Sequence, residues 1–381
     1  MRHQVRLWYP LKRAWERDAD AQIEREQGII LKRVKYLEDG RTIYEHICDE
    51  DNILEAIKDA CKDHHKDPQV IMMKENPEKY VEQIREILVS KSFHYSKFRT
   101  CDIVERGKRR HLCFTITYPD RVIQHAVLRI VGPILLGTSI KSTYAAQEGK
   151  GTHLCSVDVR KSIREDPEGT RYYLKTDIRK YFDSILRNIL WNFIKRKIKC
   201  KDTLEILHRL IFEVPGRIGL AIGLYISQIL STYFLSSFDH WVKEVLHIKH
   251  YFRYMDDCVF FSDSKETLHR VRKIVEAKLK DEFGLKLKKN WRIAPIACGL
   301  DFVGFVHFPM YTKIRKSVKI AYKRVANAII KRLKKHKPVD KHIMGALNSY
   351  DGMVKWSDGA RLRYLNMGRV DIALEFGVEA I

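Results

Sequence analysis

The sequence has no run of about 18 apolar residues, so no membrane-spanning helix is expected. Its start, Met1 to Pro10, mixes charge with aromatics and lacks the apolar centre of a secretory leader. A cytoplasmic chain with no membrane partner is therefore expected. None of its eight cysteines forms a Cys-x-x-Cys pair or stands at zinc-ligand spacing from histidine. Reduced, mostly buried thiols follow. The 16 histidines make no metal pattern either, and His64-His65 lies in a charged stretch that reads as solvated. Internal repeats and low-complexity linkers are missing. Acid is in short supply: 48 Asp and Glu against 71 Lys and Arg leave a formal charge of +23. Such an excess self-repels unless a polyanion neutralises part of it, and nucleic acid is the first partner it suggests. With 381 residues, 45% of them hydrophobic, the chain exceeds the length at which single cores stop growing, so several lobes are expected.

From about Leu7 to Asp67 charge is dense, with a helix predicted at Ile53 to Cys61 behind a capping-box-like start at Asn52 and Glu55. Asn76-Pro77 predicts another, because Asn caps well, Pro suits the first helical position, and Val81, Ile84 and Leu88 then share a face. Phe98 to Thr117 reads as a hairpin about the basic turn Gly107-Lys108-Arg109-Arg110. Pro119 opens a helix that buries Val122, Ile123, Val127 and Ile130, turns Arg121, Gln124, His125 and Arg129 outward, and ends at Pro133. A strand is predicted at Arg171 to Thr176, helical spacing from Ile185 to Ile211, and one long helix from Gly223 to near His247.

Tyr251 to Ser262 is apolar on both sides of one acidic dipeptide, which predicts two strands about a tight turn. Leu268 to Leu279 is helical, with Gly284 placed to end it. Strands at Leu285 to Ile293 and Leu300 to Phe308 complete a β-β-α-β core. Beyond Pro309, Tyr311 to Lys337 holds eleven Lys or Arg and no acid, at helical spacing. An amphipathic basic helix that tracks phosphates is expected, with Lys316, Lys319 and Lys323 on its charged side.

The strongest chemical signal is Phe252-Arg253-Tyr254-Met255-Asp256-Asp257-Cys258-Val259. Alone, an Asp-Asp pair reads as a surface turn; between apolar strands it places two carboxylates where burial costs several kcal/mol unless a cation joins them. A third acid, Asp177, ends the apolar stretch Tyr172-Tyr173-Leu174-Lys175-Thr176. Three carboxylates suit in-line nucleotidyl transfer with two Mg2+ ions, since magnesium takes hard oxygen ligands and leaves room for substrate phosphates.

With these residues in view, Phe98 to Phe308 resembles the reverse transcriptases. The Tyr-x-Asp-Asp box of that family is similar to Tyr254 to Asp257, its first-aspartate motif to Asp177 to Phe182, and its hydrophobic-Gly motif to Phe302-Val303-Gly304-Phe305. The resemblance implies an α+β right-hand polymerase. Its parts would be a helical N-terminal extension (1–95), fingers (96–170), a palm (171–184 and 214–308) interrupted by a helical insertion (185–213), and a basic helical thumb (309–381). It implies Asp177, Asp256 and Asp257 as ligands of two Mg2+, with Mn2+ able to substitute, and the Ile178 backbone near the second ion. Phe182 would lie under the incoming sugar and exclude a ribose 2'-hydroxyl, while Tyr181 packs in the core. Lys108 and Arg110 would grip the triphosphate, with Arg109 able to trade roles. Arg121, the loop containing Gly149, Gly151 and His153, and Tyr254-Met255 would contact template and primer. Lys288 or Lys289 would protonate pyrophosphate.

The departure lies at Ile222-Gly223-Leu224-Tyr225-Ile226-Ser227-Gln228. Most reverse transcriptases have Gln where Ile222 stands and Pro where Gln228 stands. The pattern resembles the prokaryotic enzymes of diversity-generating retroelements, whose cDNA synthesis is error-prone, and an alkyl group in place of the amide removes a geometric check on the nascent pair. An antiphage-defence reverse transcriptase using a noncoding RNA is the near alternative; an RNA-dependent RNA polymerase and a catalytically silent RNA scaffold are remoter ones. Expected partners are dNTPs, an RNA template and its RNA/DNA hybrid, and a basic accessory protein or second subunit, in a bacterial or phage-encoded setting. No ribonuclease H acid cluster follows the basic helix, so RNA removal is expected to need another protein.

Overall fold

A computed structural model describes residues 34–377 except Asp63, Arg106 and Gly107, and leaves out the side chains of Glu105 and Lys108. Gly107 of the basic turn, the Lys108 side chain and residues 1–33 of the expected extension thus lie outside the described residues. Two compact units result: Met1–Ser139 with Phe182–Ser236, and Ile140–Tyr181 with Ser237–Ile381.

In the first unit, helices Ile43–Ile47, Glu50–Ala60, Pro68–Glu75 and Pro77–Val89 precede a hairpin of β1 (Phe98–Glu105) and β2 (Lys108–Thr115). Asn76 caps the Pro77–Val89 helix by accepting from Lys79 N–H, as its sequence predicts. The Glu50–Ala60 helix is capped by Asp49 rather than Asn52. Asn52 is one turn inside and donates instead to the carbonyls of Ile47 and Ala126.

Helix Val122–Leu136 differs from expectation at both ends and on its polar face. It is preceded by a wide turn at Thr117–Arg121 and runs on past Pro133, which lies in its last turn. Gln124 and His125 are buried. The Tyr225–Phe234 helix covers them: Gln124 Oε1 accepts from Ile226 N–H at 3.5 Å and the His125 ring stacks on Tyr225 at 4.4 Å. Helices Arg187–Lys197 and Lys201–Phe212 complete the unit. Buried Arg187 donates to the carbonyls of Gly219, Val214 and Pro215, pinning a loop with no sheet of its own.

The second unit is built on an antiparallel sheet of order β4-β5-β3-β6, from β3 (Tyr172–Asp177), β4 (Tyr251–Tyr254), β5 (Asp257–Ser262) and β6 (Arg292–Pro295). β5 is buried on both faces. Phe252, Val259 and Phe261 pack with Tyr173 and with Val159 of helix Thr152–Glu165. On the other face Tyr251 packs on Phe260 and Phe238. Helix Lys265–Phe283 ends at Gly284, whose φ of 67° is the left-handed cap its sequence predicts.

Four expected elements are redrawn. The long helix after Gly223 is two, Tyr225–Phe234 and Ser236–Glu244, parted at Leu235. The strand expected from Leu285 is broken by a turn at Lys289-Asn290, leaving one bridge at Leu287 before β6. Leu300 to Phe308 is a hairpin, β7 (Leu300–Phe302) and β8 (Phe305–His307), because Val303 and Gly304 take φ of 46° and 92° and reverse the chain. The basic helix begins at Lys316, since Thr312–Ile314 joins that sheet as β9. Helices Lys316–Leu333, Lys341–Lys355, Ala360–Arg363 and Arg369–Glu375 follow, packed through Val318, Tyr322, Ile329, Leu347, Val354 and Val370. No described helix is long and apolar enough to cross a membrane. The eight cysteines are free, five of them buried.

Candidate active site

β3 ends at Asp177 and β5 begins at Asp257, directly opposite each other; Tyr254 faces Asp257 from the other side. The two-residue loop between β4 and β5 is Met255-Asp256. Three acids distant in sequence thus meet at one end of the sheet, and the Ile178 amide donates to the Asp256 carbonyl at 3.3 Å. Like charges directly opposed in a sheet repel. Burial pushes the Asp256 carboxyl up to about 7, with the Asp177 and Asp257 charges acting the same way. Burial also raises Asp257, against the pull of Lys175.

Asp177 Oδ1 is buried without a hydrogen-bond partner, while Oδ2 is ion-paired with Lys288. Lys288 N–H also donates to the Asp177 carbonyl at 2.8 Å. Lys289 is exposed in the turn that follows. Among the described residues no three His, Cys, Asp or Glu side chains form a ready-made metal cage. Magnesium does not ask for one, because it is held by one or two carboxylates with water and phosphate completing its shell. An orphaned carboxylate oxygen beside two carboxyls whose charge is disfavoured by burial fits such an ion.

The reverse transcriptase (RNA-dependent DNA polymerase) family matches residues 103–291, a span that includes all three acids and Lys288. The chain carries a reverse transcriptase domain. The enzyme class of that domain is RNA-directed DNA polymerase, a nucleotidyltransferase, and its fold is the mixed α+β fold of reverse-transcriptase-like polymerases. Among solved structures, apo telomerase from Candida tropicalis is similar at 13% identity and a TM-score of 0.46, over 63% of this chain and 52% of that one. Telomerase from Candida albicans in complex with a fragment of telomeric RNA is similar at 12% identity and a TM-score of 0.45, over 76% and 61%. The chain therefore spans 52% to 61% of the length of these telomerase chains.

Inside the reverse transcriptase domain the Met255-Asp256 turn rests on a residue that sequence reasoning missed. Arg253 and Asp239 are both fully buried and paired, with Arg253 Nε on Oδ1 at 2.7 Å and Nη2 on Oδ2 at 2.6 Å. Tyr251 Oη and Thr143 Oγ1 donate to the same carboxylate. Arg253 Nη1 donates to the Met255 carbonyl at 2.9 Å. Met255 has φ of 53°, a left-handed conformation that costs a side-chain-bearing residue roughly 1 kcal/mol or more. The available signal was an arginine inside an otherwise apolar strand. Lys175 is a second such residue: it lies in β3 and donates to the Asp301 carbonyl at 2.7 Å.

Arg110, Arg121, Phe182, Ile222 and Gln228 belong to the first unit. Arg110 is exposed on β2, and the exposed Arg109 pairs with Asp102 at 2.7 Å. Phe182 is half-buried and its carbonyl accepts from Leu220 N–H, while Tyr181 is buried. The Ile222 carbonyl accepts from Cys113 N–H at 2.8 Å. Arg121 and Gln228 line one cavity of about 820 Å³ with Arg99, Phe114, Gln124 and Tyr225. His64, expected to be solvated, is exposed but meets Arg121 there.

In the second unit Gly149 has φ of 69°, and His153, in the first turn of its helix, stacks on Trp356 at 5.1 Å. Lys316, Lys319 and Lys323 are exposed on their helix, whose buried residues include Val318 and Tyr322.

Proposed function

We propose that the chain extends a DNA strand on an RNA template from dNTPs, with Asp177, Asp256, Asp257 and the Ile178 backbone holding two Mg2+ ions. The observation that carries it is the meeting of Asp177, Asp256 and Asp257 at one sheet end with Asp177 Oδ1 unpartnered. Bound there, magnesium supplies activation of the primer 3'-hydroxyl and neutralisation of the triphosphate. The 3'-hydroxyl gives its proton to water as its oxygen attacks the α-phosphorus, the bond to the bridging oxygen of the β-phosphate breaks, and Lys288 gives its ammonium proton to departing pyrophosphate and regains one from water. Phe182 stands against a 2'-hydroxyl, and Lys108 and Arg110 serve the triphosphate. Arg121 and Gln228 share a cavity wide enough for a nucleotide, which supports template or substrate contact there. The exposed row Lys316, Lys319 and Lys323 supports phosphate tracking by the helical region after Pro309, taken as the thumb.

A primed RNA offered dNTPs or rNTPs separately tests the proposal. Extension with dNTPs alone, lost in Asp256→Ala, is expected; extension with rNTPs alone assigns an RNA polymerase, and binding without extension assigns a scaffold.

Within this activity, Ile222 and Gln228 favour a diversity-generating retroelement enzyme with a dedicated RNA template and a basic accessory protein. A template repeat beside a variable target gene supports that setting. A noncoding RNA in a defence island supports an antiphage role instead.

A further inference from the structure

Burying an ion pair is a poor way to stabilise a sheet, because desolvating both charges offsets most of their attraction and an apolar pair of similar volume does as well. Arg253 and Asp239 nonetheless sit unexposed among Tyr, Phe and Val side chains. What an apolar pair cannot supply is a directed donor. Arg253 Nη1 is aimed at the Met255 carbonyl, at 2.9 Å, and so fixes the peptide plane that precedes Asp256. The plane that follows Asp256 is held by Ile178 N–H on the Asp256 carbonyl, at 3.3 Å. Both planes flanking Asp256 are therefore pinned, and with them the direction in which its side chain leaves the loop.

The guanidinium is itself held. Asp239 takes both its Nε and Nη2, and receives Tyr251 Oη at 2.7 Å and Thr143 Oγ1 at 3.0 Å. The Arg253 backbone is bonded on both sides, its N–H to Ser142 O at 3.0 Å and its carbonyl from Tyr144 N–H at 3.1 Å. We infer that Arg253, braced by Asp239, is a positioning residue that sets the Met255-Asp256 loop so that the Asp256 and Asp257 carboxylates are presented to metal and nucleotide. The inference rests on the proposed polymerase function, and extends it to a residue that touches neither metal nor substrate.

Arg253→Lys keeps a cation beside Asp239 but loses the planar fork that serves Asp239 and Met255 together. Tyr173→Phe is the comparator: it removes a buried hydrogen bond in the same sheet, to Gly299 O at 3.0 Å, away from the loop. The expected result for Arg253→Lys is a kcat at least tenfold lower, a KM for dNTP within twofold of the parent, and a half-saturating Mg2+ concentration raised severalfold. Tyr173→Phe lowers Tm without moving the Mg2+ midpoint. Titration with Mn2+, read by electron paramagnetic resonance without turnover, should show the same weakening in Arg253→Lys.

An unchanged Mg2+ midpoint and Mn2+ affinity in Arg253→Lys would overturn the inference, as would equal effects in both variants. If Arg253→Lys does not fold, Asp239→Asn takes its place, with the same shift expected and its absence decisive. If the parent protein makes no DNA, the polymerase proposal fails by itself, and the Mn2+ titration still decides the role of Arg253.

Discussion

Lys288 meets Asp177 twice, through its backbone amide on the Asp177 carbonyl at 2.8 Å and through its ammonium on the carboxylate. That double attachment holds the lysine in register with the end of β3. The next residue, Lys289, turns to solvent.

Removing the Lys288 ammonium should slow the chemical step, not substrate binding. Positioned general acids typically contribute about 10² to 10⁴. Lys288→Ala is expected to lower the single-turnover rate about 10²-fold with a nearly unchanged dNTP Kd, while Lys289→Ala stays within twofold of the parent. A larger loss in Lys289→Ala would reassign the acid.

Buried carboxyls at one site trade stability for function. Asp256→Asn is expected to raise the Tm of the metal-free protein, since it relieves a charge that burial and two neighbouring acids disfavour, and to abolish DNA synthesis. Saturating Mg2+ should raise the parent's Tm, by the equivalent of about 2.7 kcal/mol at a hundredfold excess over Kd, and should leave Asp256→Asn much less affected. Calorimetry with Mg2+ and with chelator checks both.

Ile222→Gln should reduce misincorporation on a defined RNA template by severalfold, because the amide restores a polar contact near the nascent pair. The backbone bond from Cys113 to the Ile222 carbonyl does not depend on the side chain, so the variant should fold. Gly223→Ala should not be tolerated: its Cβ would lie 2.6 Å from the Cys113 carbonyl, at φ of 113°. Sequenced cDNA and a melting curve report the two outcomes, and equal error spectra would remove the fidelity role.

Acid should weaken the second unit through His307. This ring is unexposed, its Nε2 has no hydrogen-bond partner, and burial pushes its pKa down to about 3. A depressed folded-state value contributes stability that is full above the unfolded pKa, near 6.5, and is lost as pH falls from there, with a limiting slope of about 1.4 kcal/mol per pH unit. His307→Phe should flatten the decline in Tm between pH 6.5 and 4. An identical decline in both proteins would clear His307 of the effect.

Much of the site was legible because its pattern is local. The alternation and apolar runs of Tyr172 to Asp177 and Tyr251 to Ser262 define strands, and strands that end in acid put carboxylates at a sheet end. Helix caps at Asn76 and Gly284 are also local chemistry and fall where expected. Patterns spanning a chain reversal were misread: Leu300 to Phe308 looks like one strand until Val303 and Gly304 take left-handed φ. Gln124 and His125 look like a polar face until a helix from a hundred residues on covers them.

By itself the sequence determined the acids, the strands that carry them and the basic face at Lys316, Lys319 and Lys323, since periods of 2 and 3.6 residues are written in order along a chain. Only the tertiary structure decided that Lys288 and not Lys289 meets Asp177, and that Arg253 is buried against Asp239 beneath the Met255 loop. The fate of a polar side chain depends on which partner folding brings to it, because burial is ruinous for an unpaired charge and tolerable for a paired one.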